Sequence, residues 1–136
     1  MGLSELSGGP IIFYGGRYMR KEQELIWEFR GKLIHLCEQE IYYIHLEDRI
    51  IYAHTRTQFY PIGSRISDVE AHLKELPFIR THYSYLVHMR YMQMLSKDEV
   101  VMRNGVHLPV SKNRKKLVHD TVLDYFSDRK NCRKSG

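Results

Sequence analysis

Apolar and polar residues alternate with a period of two through most of this chain, the pattern of half-buried β-strands. Leu25, Trp27 and Phe29 share one side of the first clear run, with Glu24, Ile26 and Glu28 on the other. Gly31-Lys32 predicts a turn, and residues 33–36 return as a second strand. Residues 37–40 form a short polar connection of about one helical turn. Residues 41–46, IYYIHL, are rich in aromatic and β-branched side chains and predict a strand. Glu47-Asp48 turns it into another at residues 49–55, and residues 58–62 give a further short one. The period then lengthens. Val69, Leu73 and Leu76 make a helical stripe, Ser67 and Glu70 have the spacing of a capping box, and Pro77 ends the helix. Residues 78–82 and 85–87 are strand-like, and 91–95 fits either type. After a polar turn at 96–99, residues 100–103 and 106–110 predict a hairpin across Asn104-Gly105, since both turn residues tolerate φ > 0. Ser111 is placed to cap a final helix whose stripe is Val118, Val122 and Tyr125, flanked by Leu123 and Phe126.

These elements predict a mostly β fold of antiparallel sheets, with one small internal helix and a C-terminal helix. A βαβ arrangement is excluded because adjacent strands are joined by tight hairpins. Three regions are expected: an arm or linker over 1–24, a folded domain over 25–118, and a helical extension with a basic tail over 119–136. The arm holds Gly8-Gly9-Pro10 and Gly15-Gly16 around the apolar patch 11–14, which is suited to adding an edge strand. No apolar run approaches the ~20 residues of a membrane span, and the start lacks the basic and apolar regions of a secretory leader. A cytoplasmic protein with no membrane partner is therefore expected. Cys37 and Cys132 form no CxxC and read as free thiols.

Charge adds direction. The chain carries +5 with a pI near 9.2. Between residues 78 and 116, eight basic side chains face only Asp98 and Glu99, whereas the regions on either side are close to neutral. A concentrated basic segment suits a polyphosphate partner, because each neutralised phosphate releases counterions. The run Lys112-Asn113-Arg114-Lys115-Lys116 opens the predicted helix, where backbone N–H groups also attract phosphate. Nearby, Arg80, His82, Tyr83, Ser84 and Tyr85 supply donors of mixed length, some suited to phosphates and some to base edges. Catalytic and metal chemistry is thin by comparison. The eight histidines include no HExxH and no close Cys/His set, no GxSxG occurs, and the paired carboxylates sit in turns. No enzyme activity, metal or cofactor is expected.

The residues from Phe78 to Val87, FIRTHYSYLV, resemble the F-x-R-x-H-x-S-[YF]-[LIV]-V signature of the LytTR DNA-binding domain of bacterial response regulators. Residues 41–44 are similar to that family's I-x-Y-I strand. Asn104-Gly105 followed by Leu108-Pro109-Val110-Ser111 is similar to its NG…LPVSR ending. The similarity runs in unbroken order from about Leu25 to Val118. It implies an elongated set of antiparallel sheets that binds promoter double-stranded DNA, usually at paired direct repeats, by inserting loop side chains into major grooves. Carried over by position, it implies Arg49 in the first hairpin loop. It implies Tyr83 in the signature loop, with Arg80, His82 and Ser84 around it, and Lys112 in the last loop, supported by Ser111, Asn113 and Lys115. Three positions depart from the pattern. His45 stands where an acidic residue is common, Lys112 replaces the usual Arg and loses its bidentate fork, and Tyr83 is bulkier than the usual polar residue.

The resemblance implies a sequence-specific transcriptional regulator of a two-component type, without catalysis, with homodimers forming on DNA. The receiver domain that usually accompanies such a module needs many more residues than precede the match, so the chain is either free-standing or a fragment. Two alternatives remain on the residues alone. One is a basic module that docks an acidic protein. The other is a single-strand or RNA binder stacking bases on Tyr42, Tyr43 and Tyr52.

Overall fold

The alternation resolves into three antiparallel sheets in the computed structural model, which describes residues 11–13, 18–21 and 24–133, with side chains from 24 to 128. The glycine pairs of the expected arm and the tail beyond Arg133 lie outside the described residues, as does the side chain of Cys132. The first sheet comprises β1 (Ile11–Phe13), β2 (Tyr18–Lys21), β3 (Glu24–Phe29) and β4 (Lys32–Cys37), paired in that order. The expected edge strand is β1. The β3–β4 turn falls on Arg30-Gly31, one position earlier than expected, with φ of 53° and 79°. A two-residue hairpin turn matching the strands' twist needs positive φ at both central residues, which Gly31 meets without a Cβ penalty.

The central sheet contains β5 (Tyr43–Glu47), β6 (Ile50–His54), β7 (Phe59–Gly63), β8 (Phe78–His82) and β9 (Tyr85–His88). Their spatial order is β7-β6-β5-β9-β8. The third sheet is β10 (Met92–Leu95), β11 (Glu99–Met102) and β12 (His107–Pro109). Residues 91–95 thus divide between a single 3-10 turn, Met89–Tyr91, and β10. Helix α1 spans Ile66–His72, and α2 spans Lys115–Arg133, running through residue 118 without interruption.

Period-two alternation sends neighbouring residues of the central sheet into different cores. Ile44, Ile51, Ala53 and Leu86 pack with Leu25, Trp27, Ile34 and Leu36 of the first sheet and with Ile66, Val69 and Leu73 of the α1 region. On the opposite face, Tyr43, Ile79 and Val87 pack with Val100, Met102 and Leu108 of the third sheet and Val118 and Val122 of α2. Each fully buried aliphatic side chain contributes about 1.5–3 kcal/mol. Burial on both faces explains why residues 41–46 read as a nearly continuous apolar run. A buried polar tie crosses between sheets. His88 accepts the Arg90 N–H on Nδ1 (3.3 Å), which leaves Nε2–H to donate to Glu38 (3.1 Å) in the single turn Glu38–Glu40 after β4.

Three local expectations are corrected. The capping box at Ser67 and Glu70 does not form: the N-cap is Arg65, Ser67 is exposed inside α1, and the Glu70 carboxylate is taken by Arg80. A charge-assisted bond to a guanidinium outweighs a cap on a seven-residue helix. The Asn104-Gly105 hairpin is closed by Gly105 N–H donating to the Met102 carbonyl and Met102 N–H to the Val106 carbonyl. Only Gly105 (φ 92°) is left-handed there, so the loop has three residues, not two. Ser111 stands at the N-cap position of the turn Lys112–Arg114 that leads into α2, but its hydroxyl donates to Asn113 Oδ1 (3.2 Å) and makes no cap bond.

Candidate functional site

Strand direction brings three turns to one end of the molecule. Because β5 and β9 are antiparallel neighbours, the turn leaving β5 at Asp48-Arg49 and the turn entering β9 at Tyr83-Ser84 emerge together. Leu46 N–H donates to the Ser84 carbonyl (2.9 Å) and ties them. The third turn, Lys112–Arg114, is fixed beside β8, where Ser111 N–H donates to the Thr81 carbonyl (2.9 Å). Arg114 Nη1 also reaches the Arg80 carbonyl at 3.5 Å. Main-chain bonds, which do not depend on side-chain identity, therefore set the relative positions of these turns.

At the first turn both Asp48 (φ 51°) and Arg49 (φ 66°) are left-handed, and the Arg49 side chain is exposed. The alternation predicts a strand from Arg49, whereas β6 begins one residue later, at Ile50. Asp tolerates this conformation, but Arg adopts it at a cost. In the second turn Tyr83 is 66% exposed, and its ring lies 4.8 Å from that of His82. His82 Nδ1 accepts the Ser84 N–H (3.1 Å), which fixes the imidazole toward the turn. Ser84 is half-buried. Lys112 and Asn113 are exposed at the third turn.

The cationic groups of two expected contact residues, Arg80 and Lys115, are also engaged within the protein. Arg80 donates through Nε to the His82 carbonyl (3.2 Å), through Nη2 to the Tyr83 carbonyl (2.8 Å), and through Nη1 to Glu70 Oε1. Its side chain is only 14% exposed. Lys115 Nζ pairs with Asp98 at 2.8 Å. That hydrogen bond and the Lys115 charge hold the Asp98 carboxyl below the usual carboxylate range, with Lys97 and Lys112 adding to the effect. Val110 N–H also donates to the Asp98 carbonyl (2.9 Å), which sets the polar turn 96–99, with Lys97 of the basic segment, beside the third turn.

The basic segment is contiguous in sequence but divided in space. Arg90 and Arg103 follow the opposite ends of β9 and β11, and Arg103 Nη1 donates to Gln93 Oε1 (3.0 Å). The hairpin there is tied to the β6–β7 turn by Asn104 Nδ2 donating to the Arg56 carbonyl (3.1 Å). Lys116 pairs with Asp120 (3.0 Å). Among the described residues, Arg49, Lys97 and Lys112 are not within ion-pair distance of a carboxylate, whereas Arg80, Lys115 and Lys116 are, so the charge offered there comes from fewer groups than the count of the linear segment.

The tyrosines singled out as a stacking platform are occupied. Tyr42 stacks on Tyr91 (4.3 Å, 4° between planes), and buried Tyr43 stacks on His54 (4.2 Å). Tyr52 meets Phe59 edge-on. His45 lies flat against Tyr85 (4.3 Å). Burial lowers His45 and pushes His54 down to about 4, with the neighbouring His45 charge as a smaller cause. Among the described residues no three His, Cys, Asp or Glu side chains converge to hold a metal ion, and no helix is long and apolar enough to cross a membrane.

A family model for the LytTr DNA-binding domain matches residues 31–122. Among solved structures, a LytTr DNA-binding domain from Bacillus cereus superposes with a TM-score of 0.63 at 19% identity, covering 75% of this chain and 97% of that one. No curated protein matches the sequence.

Proposed function

The chain belongs to the LytTr DNA-binding domain family, and from that premise we propose that it is a cytoplasmic transcriptional regulator that reads duplex DNA with its three clustered turns. The observation carrying this reading is the bracing of the Asp48-Arg49, Tyr83-Ser84 and Lys112–Arg114 turns at one end of the central sheet. Loops so fixed can enter a groove without an inserted recognition helix. Arg49 and Lys112 are free to donate to guanine O6 and N7, and Tyr83 can meet a phosphate or a thymine methyl. Asn113 and Ser84 supply shorter polar contacts, with His82 and Ser111 behind them. Lys115 reaches phosphate only by leaving Asp98. Arg80 acts from within the fold. Residues 25–118 with the start of α2 form the reading unit, and two copies bind paired direct repeats.

Selection of bound duplexes from a random pool tests this directly. A recurrent motif in two equally oriented copies, with affinity falling steeply as salt rises, is the expected result. Equal retention of all sequences, or of heparin and duplex alike, would favour the basic docking module instead.

A further inference from the structure

We propose that Glu70 on α1 is a positioning residue for sequence reading, acting through Arg80 on the Tyr83 turn. The proposal rests on the reading of that turn as a DNA-contacting loop. The Arg80 guanidinium is a planar fork whose donors face three acceptors: the carbonyls of His82 and Tyr83 and the carboxylate of Glu70. A guanidinium can satisfy all three in one plane, whereas an ammonium is a point charge without that fixed geometry. The two carbonyls belong to the turn itself, so Arg80 grips the backbone beneath the exposed Tyr83 ring. Glu70 anchors the other edge of the fork from a helix that packs into the core shared with the first sheet through Ile66 and Val69. The turn is thereby referenced to α1 through the Glu70 carboxylate. The β8 bulge between Arg80 and His82 breaks the ladder at this point, so the strand register alone does not fix the turn. A groove-reading side chain must be held to within a fraction of an ångström by its supporting residues. Glu70 and Arg80 supply that hold, and Leu46 and Arg114 pass it to the neighbouring turns.

The test uses the full chain with Glu70→Gln, Arg80→Lys, Tyr83→Ala and the double variant Glu70→Gln/Tyr83→Ala. In the free protein, amide exchange at Ser84 and Leu46 is expected to accelerate ~tenfold in Glu70→Gln while the β11 amides stay unchanged. Unchanged exchange at both positions would overturn the latch without any DNA measurement. The DNA probes are a duplex selected by the wild-type protein and a scrambled duplex of the same composition. Both Glu70→Gln and Arg80→Lys are expected to lose ~tenfold in discrimination with the salt slope kept, on the scale of one good base contact. In the Tyr83→Ala background, Glu70→Gln is expected to cost nothing further. Wild-type discrimination in Arg80→Lys would mean that only the charge matters, and an undiminished Glu70→Gln effect without Tyr83 would mean that α1 acts elsewhere. Either result overturns the proposal. Accelerated exchange combined with no preference in the wild-type protein would instead sink the DNA reading beneath it.

Discussion

Arg49 is held at φ 66° in a turn that contains no glycine. Replacing it separates the cost of that conformation from the use of its side chain. Arg49→Ala and Arg49→Gly both delete the guanidinium, but only the second removes the Cβ that the left-handed region crowds. In ordinary strand or helix positions Gly is the less stable of the two by about 0.5–1 kcal/mol, because its unfolded chain has more freedom. At a left-handed position the Cβ term of about 1–2 kcal/mol runs the other way. The sum makes Arg49→Gly the more stable by about 0.5–1 kcal/mol. Urea unfolding of both variants at equal m-value measures the difference, and a shifted m would show that something other than native-state strain had changed. Both variants are expected to lose the same discrimination, about 1–3 kcal/mol, between a selected and a scrambled duplex. Arg49→Ala proving the more stable would refute the strain argument, and unaltered discrimination in both would remove Arg49 from the reading surface.

Four further outcomes are expected. The His54 ring, pushed down to about 4 in the folded chain against an ordinary 6.5, is protonated first on unfolding, so its contribution to stability is intact above pH 6.5 and lost as pH falls toward 4. Because the ring is only half-buried the effect is discounted to about 1 kcal/mol near pH 5, and His54→Phe should flatten that part of a pH series of urea midpoints. Gly105→Ala, with open space around the new Cβ but φ of 92°, should cost about 1–2 kcal/mol by thermal unfolding. Glu38→Ala strands the buried His88 Nε2–H and should cost about 1–3 kcal/mol, whereas Glu38→Gln, which still offers an acceptor, should recover most of it. Asp98→Asn frees Lys115 and should tighten binding to any duplex, steepening the log–log salt slope by about one unit.

The strands were legible because their side chains alternate, and the family signature because its residues are contiguous. Leu25 and Trp27 were placed on one face by spacing alone, and they are nearly fully buried. Contacts made between distant elements left no trace in local spacing. Ser67 and Glu70 had the spacing of a cap, but Glu70 bonds a strand residue ten positions on. Arg80 lay within a motif of donors, and nothing local revealed that it turns inward. The basic segment looked continuous because charge was counted along the chain, while β9 and β11 carry Arg90 and Arg103 to the other end of the fold. Asp98 and Lys115 are an ion pair made by the β10–β11 turn meeting the start of α2, a meeting no linear pattern encodes.

The two cores on either side of the central sheet act as a ruler. Tyr43 and Ile44 point into different clusters, so adding a single residue to β5 would throw both into the wrong one. Two residues added to each arm of the β5–β6 hairpin keep every side chain on its own side and carry Arg49 outward by about 7 Å. The protrusion of that finger therefore lengthens in two-residue steps wherever no bulge absorbs an odd residue.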